Sequence, residues 1–221
     1  MDTILQPLLD SPQLPQYLAE IQAILANEAQ KRENFYNVIN ENDKAEFIHG
    51  QIIMHSPVKR IHNVVSSLLH QLLNIYVIKH QLGEMGFDKM MVHLSRNSYE
   101  PDVCFWLHEK SHTFTENQML FPAPDFIVEV LSKSTEKIDR GIKMIDYAAH
   151  GVSEYWLIHP QKRFIEKYLL DGKKYWKEKT YSIEDEIQST AIQGFIVPVI
   201  AIFDAGENLK QMQRILHNSE E

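Results

Sequence analysis

The sequence predicts an α/β (α+β) fold, in which a mixed β-sheet core is flanked by helices. Three apolar runs rich in β-branched and aromatic residues predict central strands at 89–94, 102–107 and 125–131. Each run is bounded by Pro or by turn-forming residues, and amphipathic helical segments precede and follow them. Strands that are interleaved with helices are typical of a sheet whose faces the helices cover.

Ahead of these runs, the chain predicts a helix, a hairpin and a second helix. Apolar residues recur at helical spacing from Pro15 to about Lys31, which predicts an N-terminal helix. Residues 46–54 predict two short strands joined at His49-Gly50, because Gly tolerates the positive φ of a tight turn. From 61 to 76 the apolar residues keep a 3.6-residue period, as in a helix that lies on a sheet.

After the runs, a helix is predicted over 136–150. Ser134 or Thr135 offers an N-cap, and Gly151 stands where helices commonly end in a left-handed residue. The apolar face that we expect this helix to bury consists of Ile138, Ile142, Ile145 and Ala149.

The remaining chain predicts strands and a last helix. Strands are expected at 154–159 and 163–170, and Asp171-Gly172 predicts a hairpin that leads into a further strand at 174–181. The tail from about 205 to 217 has a helical pattern.

The composition of the chain limits the classes of protein to which it can belong. The chain has 221 residues, of which 44% are hydrophobic, and fits one ordinary domain. Cys104 is its only cysteine, which favours a reducing, cytoplasmic location. No apolar run reaches the about 18 residues of a membrane span. A formal charge of −8 argues against a global positive field for nucleic acid, although bound divalent cations would supply positive potential locally.

Two acidic residues lie in the apolar runs. Asp102 follows Pro101, and Glu129 is surrounded by aliphatic residues in 126–131. A charge in such a strand is costly unless it is paired or binds a metal ion. One such acid, taken alone, more often faces solvent from a half-buried strand. Two together favour Mg²⁺, which takes one or two carboxylates and keeps waters that a phosphate can displace.

Several short motifs follow one another between Glu46 and Phe203. An acid precedes a glycine hairpin, a helix begins near a histidine, and a helix lysine has a tyrosine four residues on. The motifs are Glu46 with Gly50, His62, Pro101-Asp102, the segment 124–135 (PDFIVEVLSKST), Lys143 with Tyr147, and the segment 151–156 (GVSEYW). Their order and spacing resemble the PD-(D/E)XK nuclease superfamily, and more closely a large bacterial family of putative restriction endonucleases, formerly a domain of unknown function.

The resemblance implies a restriction-endonuclease-like enzyme that hydrolyses phosphodiester bonds of nucleic acid. It implies Mg²⁺ or Mn²⁺ as the cofactor, DNA as the substrate, a homodimer as the assembly and no membrane partner. Residues 1–40 would then be an N-terminal helical extension, 41–205 the nuclease domain and 206–221 a C-terminal helix or tail.

Site residues follow from the same resemblance. Asp102 and Glu129 are expected to bind the metal ion, with the backbone carbonyl of Val130 as a third ligand. Glu46 is expected to complete the metal shell or to act as a base.

One motif residue is displaced. The superfamily's lysine normally stands two residues after the second acid, where this chain has Leu131. Members with a relocated lysine supply it from the following helix, which points to Lys143. Lys143 lies beside the predicted apolar stripe, so a solvated lysine fits the pattern equally well.

Further cations surround this lysine in the sequence. Lys133, Lys137 and Arg140 are candidate contacts to a phosphate backbone, and an ordinary mixed-charge surface is the alternative.

Two other functional classes stay open at this stage. A catalytically inactive module that binds nucleic acid or protein would explain the acidic charge and the displaced lysine, since a fold does not fix a function. A small-molecule hydrolase with the same metal site is the other. The presence of both Asp102 and Glu129 favours the nuclease.

Overall fold

A computed structural model of the protein describes residues 5–40 and 42–217. The chain divides into two compact units, the first drawn from residues 1–55 and 95–99 and the second from 56–94 and 100–221. Mixed sheets flanked by helices confirm the predicted fold class. No helix among the described residues combines the length and the apolar character needed to cross a membrane.

The elements are as follows. The helices are α1 (Gln6–Leu9), α2 (Leu14–Val38), α3 (Arg60–His80), α4 (His108–Ser111), α5 (Glu136–Ile138), α6 (Met144–Ala149) and α7 (Ala205–His217), with a π-helical turn at Asp139–Lys143 and a 3-10 turn at Val199–Ile202. The strands are β1 (Ala45–Ile48), β2 (Gln51–Met54), β3 (Gly83–Phe87), β4 (Met91–His93), β5 (Ser98–Tyr99), β6 (Val103–Leu107), β7 (Leu120–Phe121), β8 (Phe126–Val130), β9 (Glu154–His159), β10 (Phe164–Asp171), β11 (Lys174–Tyr181), β12 (Glu186–Gln188) and β13 (Ile196–Pro198).

The first unit contains the long helix α2 and a small antiparallel sheet. β1 pairs with both β2 and β5. The predicted hairpin is confirmed, with positive φ at His49 (48°) and Gly50 (75°). α2 ends at Val38, beyond the predicted end, and its buried Phe35 packs against Phe47 with ring centroids 5.8 Å apart.

The second unit contains the main sheet, with the strand order β11-β10-β9-β8-β6-β3. β8 and β9 are parallel, and the other neighbours in this sheet are antiparallel. Two of the predicted central strands, 102–107 and 125–131, appear as β6 and β8 and are direct neighbours. Glu129 therefore lies on an inner strand of the sheet, and Asp102 directly precedes the neighbouring strand.

The prediction for 89–94 as a central strand of the same sheet is wrong. Only Met91–His93 is extended, and this β4 pairs in parallel with β7. The second neighbour of β6, beside β8, is instead β3. The sequence did not predict β3 because glycines are poor strand formers. At Gly86 a side chain would place its Cβ 2.5 Å from the Cys104 Sγ, so the close approach of β3 to β6 requires glycine there.

The faces of β8 bury different kinds of residue. Phe126, Val128 and Val130 belong to the apolar core, which α3 completes with leucines including Leu72. Side chains alternate along a strand, so Glu129 points to the opposite face. That face is covered by the helical segment 136–149, as the hydrogen bonds of Glu129 show.

The buried face of this segment differs from the prediction. Ile145 is 68% exposed and Ala149 is also exposed, whereas Asp139, Lys143 and Tyr147 are buried. These three polar residues are four positions apart and lie on the inner side of a stretch that includes the π-helical turn. The apolar pattern predicted the wrong inner face for this helix. The surface beneath the helix carries the carboxylate of Glu129, which needs polar side chains as hydrogen-bond partners.

The C-terminal helix was correctly predicted, and its contacts explain its position. The side-chain amide of the buried Asn208 donates to the carbonyls of Leu68 in α3 and Ala201, at 2.8 and 2.9 Å. Lys79 of α3 donates to the carbonyl of Ile215 at 2.7 Å. These bonds hold α7 against α3.

Candidate metal and catalytic site

The two strand carboxylates stand at facing positions of β6 and β8. In this antiparallel pair Val103 lies opposite Val128 and Cys104 opposite Ile127. When the register is continued by one residue, Asp102 lies opposite Glu129. Directly opposite residues of an antiparallel pair project from the same face, so both carboxylates belong to the face that the segment 136–149 covers.

Asp102 contacts two elements, β8 and α3. Its Oδ2 accepts a hydrogen bond of 2.8 Å from the backbone amide of Val130. The same oxygen lies 3.1 Å from Nε2 of His62, in the first turn of α3. The side chain is buried, with only 7% of the residue exposed. These contacts restrict the orientation of the Asp102 carboxylate.

Glu129 is held from the opposite side by the helical segment. Its Oε1 accepts hydrogen bonds from the Lys143 ammonium at 3.0 Å and from the Tyr147 hydroxyl at 3.1 Å. The ammonium also lies 3.3 Å from Oδ1 of Asp139. The sequence left a solvated Lys143 open, and the structure buries it to 2% exposure.

The negative charge of the site raises the pKa of a neighbouring phenol. Burial raises the pKa of the Tyr155 phenol well above its usual value, and the carboxylates of Glu129 and Asp139 raise it further. The Tyr155 hydroxyl donates to the backbone carbonyl of Asp139 at 3.1 Å, which links the π-helical turn to β9.

Cys104, two residues after Asp102, is a buried free cysteine. Burial raises the pKa of its thiol well above the ordinary value, and the charge of Glu129 raises it further. A thiol that stays protonated is unreactive, which agrees with its place inside the sheet.

The donor set fits a hard divalent cation. Asp102 and Glu129 provide carboxylate oxygens, and each carboxylate retains acceptor capacity when one oxygen is already hydrogen-bonded. Mg²⁺ needs only one or two protein carboxylates, because it keeps several of its waters. Within residues 5–40 and 42–217, no group of three or more His, Cys, Asp or Glu side chains is arranged as a metal cage. Val130 lies beside the pair, and its amide contacts Asp102.

Glu46 belongs to the first unit. It is fully buried on β1, and its Oε2 lies 3.2 Å from Nε2 of His55, directly after β2. The histidine neighbour offsets part of the cost of burying this carboxylate.

The three flanking cations differ in their surroundings. Lys133 and Lys137 are exposed. Arg140 is partly buried, and its guanidinium forms ion pairs with Glu136, at 2.9 Å, and with Glu166. Two carboxylates therefore already balance the charge of Arg140.

A known protein family matches most of the chain. The family model Uma2, described as putative restriction endonuclease, matches residues 32–200. The chain belongs to the Uma2 family. It is 31% identical to the uncharacterized protein sll1609 of Synechocystis sp. over 137 residues, which are 61% of this chain and 76% of that protein.

A solved structure shares the fold. The crystal structure of a putative nuclease belonging to DUF820 from Anabaena variabilis superposes with a TM-score of 0.66. The match covers 77% of this chain and 96% of that chain at 17% sequence identity. A likeness at this identity shows the fold, which is nuclease-like, and the family supports a nuclease at the same coarse level.

In this member of the Uma2 family, sequence reasoning missed part of the site. Asp139 was not among the predicted site residues, and Tyr147 was noted only as a motif residue, although they lie four residues before and after Lys143. This spacing puts all three on one helical face and was the available signal. His62 was noted as a motif residue, but its contact with Asp102 joins parts of the chain 40 residues apart, which one sequence does not reveal.

Proposed function

We propose that this protein is a Mg²⁺- or Mn²⁺-dependent endonuclease that hydrolyses phosphodiester bonds in DNA. The observation that carries the proposal is the buried contact between Lys143 and Glu129, on the strand next to Asp102. Two facing carboxylates and a lysine ammonium are the groups that metal-dependent phosphodiester hydrolysis needs. Membership of the Uma2 family supports the same reaction class.

The carboxylates would hold the cation. Asp102 and Glu129 provide its side-chain ligands, and the backbone carbonyl of Val130 is the proposed third ligand. When bound, the cation would polarise the phosphate, lower the pKa of the attacking water and neutralise the leaving oxygen.

Lys143 would act on the reacting groups directly. Its ammonium is kept in place by Glu129 and Asp139, at 3.0 and 3.3 Å, and this contact prevents the long side chain from sampling other rotamers. A fixed positive charge beside the carboxylates can orient the attacking water or balance the charge that develops on the phosphate.

His62 and Tyr147 would act through the carboxylates. His62 contacts Asp102, and Tyr147 donates to Glu129, so each restricts the orientation of a proposed ligand. Lys133 and Lys137 are the proposed contacts to the DNA backbone, since Arg140 is already engaged by Glu136 and Glu166.

A second candidate function is a catalytically inactive module that binds nucleic acid or protein. The acidic net charge of −8 favours it, because a strong DNA-binding enzyme is usually basic. The site geometry favours the enzyme, since a buried lysine between two buried acids costs folding free energy and is retained for a reason.

Cleavage assays separate these functions. The protein is incubated with plasmid DNA, single-stranded DNA and RNA in the presence of Mg²⁺, Mn²⁺ or EDTA. Asp102→Asn, purified identically, is the matched control because it keeps the side-chain size and removes the charge. We expect DNA cleavage by the wild type with Mg²⁺ or Mn²⁺, none with EDTA and none by the variant.

Equal cleavage by both proteins would show a contaminating nuclease. An absence of cleavage by the wild type on every substrate, in a protein that binds DNA, would favour the inactive module. Cleavage of RNA alone would leave the site assignment in place and overturn DNA as the substrate.

A further inference from the structure

The segment that leads into α3 carries two exposed cations close to the candidate site. Lys59 directly precedes the helix and Arg60 is its first residue, and both side chains are exposed. We call these two residues the α3 basic pair. His62, two residues after Arg60, has its Nε2 3.1 Å from Oδ2 of Asp102. The α3 basic pair therefore lies within three residues of a side chain that contacts a proposed metal ligand.

A second pair of exposed cations approaches the same carboxylate oxygen from another part of the chain. The backbone amide of Val130 donates to Oδ2 of Asp102 at 2.8 Å. Lys133 and Lys137 follow Val130 in the chain, and both are exposed. Two segments that are far apart in the sequence thus meet at one oxygen atom, and each brings two cations to it.

These cations are not neutralised by the rest of the described chain. Among residues 5–40 and 42–217, neither the α3 basic pair nor Lys133 or Lys137 forms an ion pair. The chain has 30 acidic and 22 basic residues, so acidic partners are in excess. The four cations near Asp102 are therefore available to a ligand.

Acidic residues around these cations are either absent or already paired. From 47 to 83, a stretch that contains all of α3, the sequence has no Asp or Glu. The segment between β8 and Lys143 has two acids, Glu136 and Asp139, which are paired with Arg140 and Lys143. The two segments therefore form a locally positive surface in a chain whose net charge is −8.

The position of the α3 basic pair is unfavourable for the helix itself. A helix N-terminus carries a partial positive charge, so cations in the first turn destabilise it. Among the described residues, no acid stands in the first turn of α3 and no side chain caps its N-terminus. Two cations at an uncapped helix end cost folding free energy, and a bound anion would offset that cost.

We propose that the α3 basic pair binds a backbone phosphate of the DNA strand, next to the phosphate that reacts at the candidate site. This inference rests on the proposed function, because it takes Asp102 to mark the place of cleavage. Phosphates of one strand follow one another about every 3.4 Å along the duplex axis. Cations on the two segments that meet at Asp102 can therefore contact successive phosphates of one strand. Such contacts position the strand and do not depend on its base sequence.

Fluorescence anisotropy of a labelled DNA duplex in EDTA tests this contact without cleavage. The full chain is titrated at several salt concentrations, which gives the slope of log K against log salt. Lys59→Gln and Arg60→Gln should each reduce the slope by about 1 and weaken binding about tenfold at about 0.1 M salt. Duplexes of different sequence should show the same loss, because phosphate contacts carry no sequence information.

The matched control is the double variant Lys173→Gln/Lys174→Gln, in the turn between β10 and β11. It removes two adjacent exposed cations, as Lys59→Gln/Arg60→Gln does, and so changes the net charge equally. β11 is an edge strand that β9 and β10 separate from β8, so the control cations are remote from the candidate site. The control should keep the wild-type slope, whereas Lys59→Gln/Arg60→Gln should reduce it by about 2.

Thermal unfolding without DNA distinguishes a lost contact from a damaged fold. Gln removes the repulsion between the α3 basic pair and the helix end, and it is a good helix former. The melting temperature of Lys59→Gln/Arg60→Gln should therefore equal or exceed that of the wild type. A lower melting temperature would show that the pair stabilises the fold and would overturn a role in binding.

Two other results would also overturn the proposal. One is a wild-type slope in both single variants, and the other is an equal loss of slope in the control, which would assign the binding to net charge. Cleavage tests the proposed function separately. A wild type that binds DNA through the α3 basic pair, and does not cleave it in Mg²⁺ or Mn²⁺, would contradict the nuclease and support the phosphate contact.

Discussion

Lys143 bridges two buried carboxylates, with its ammonium 3.0 Å from Oε1 of Glu129 and 3.3 Å from Oδ1 of Asp139. None of the three side chains is more than 5% exposed. Desolvation of buried charges is costly, and the cost is offset only while each charge keeps its partner. Lys143 is therefore expected to matter for folding as well as for catalysis.

The first prediction concerns Lys143→Met, which keeps the stem length and removes the charge. Cleavage should fall by about two or more orders of magnitude, because the developing transition-state charge loses a fixed partner. The free energy of unfolding should also fall, by about 3–5 kcal/mol, because two buried carboxylates lose their cation. Urea unfolding in EDTA measures the second effect without the metal.

Two other variants serve as comparisons for Lys143→Met. Tyr147→Phe removes one hydrogen bond to the same oxygen of Glu129 and should cost about 1 kcal/mol. Lys133→Met removes an exposed charge and should leave stability unchanged. A fully active Lys143→Met with an inactive Lys133→Met would show that the displaced lysine of the family motif is Lys133.

Much of the fold could be predicted because its elements carry local signals. The strands β6 and β8, the helix α3 and the hairpin at His49-Gly50 depend on periodicity and on turn residues, which are visible within a few positions. β3 could not be predicted in this way. Its glycines are required by contact with β6, which lies about 20 residues further along the chain.

Only part of the candidate site could be predicted from the sequence, for a similar reason. Asp102 and Glu129 stood out because charges are rare in apolar strands. The inner face of the segment 136–149 was assigned to isoleucines, since periodicity alone assumes an apolar surface beneath a helix. The structure turns Asp139, Lys143 and Tyr147 inward instead, because Glu129 requires polar partners.

The second prediction separates Lys133 and Lys137 from Arg140. Lys133→Gln and Lys137→Gln should each weaken DNA binding and reduce the slope of log K against log salt by about 1, as expected for the loss of one phosphate contact. Their unfolding curves should match the wild type. Fluorescence anisotropy of a labelled duplex at several salt concentrations measures the slope, and an unchanged slope in both variants would contradict a DNA contact.

Arg140→Gln should act on stability, with a pH dependence. Burial raises the pKa of Glu166, but the hydrogen bonds from Lys177 and Arg140 outweigh this and lower it overall. A lowered pKa stabilises the folded protein above the unfolded value of about 4.3, and the stabilisation is lost as the pH falls through the folded value. Arg140→Gln should therefore be less stable than the wild type at pH 7, with a difference that shrinks towards pH 3. A difference that is constant with pH would contradict the ion pair.

The third prediction concerns Cys104. Burial and the charge of Glu129 raise the pKa of its thiol, so the folded state keeps a proton that the unfolded state loses above about pH 8.5. The free energy of unfolding should fall as the pH rises beyond that point, and Cys104→Ala should reduce this dependence. A thiol reagent at pH 8 should label the protein only after unfolding, whereas rapid labelling of the native state would contradict the burial of Cys104.

The fourth prediction concerns the metal ion and does not require activity. A ligand that binds only the native state stabilises it by about 2.7 kcal/mol at a hundredfold excess over the dissociation constant. Mg²⁺ or Mn²⁺ should therefore raise the melting temperature of the wild type, and Asp102→Asn and Glu129→Gln should each abolish the shift.

The matched control for the metal is Glu154→Gln, which alters another buried carboxylate of the same sheet. Glu154 accepts hydrogen bonds from Trp156, at 2.7 Å, and from the backbone amides of Thr190 and Ala191. Its replacement should lower the melting temperature without metal, because a buried acceptor loses charge-assisted bonds. It should leave the metal-induced shift intact, since these donors hold a loop and not the proposed cation. Equal shifts in the wild type and in Glu129→Gln would assign the effect to nonspecific surface binding and remove the support for a metal site at Asp102 and Glu129.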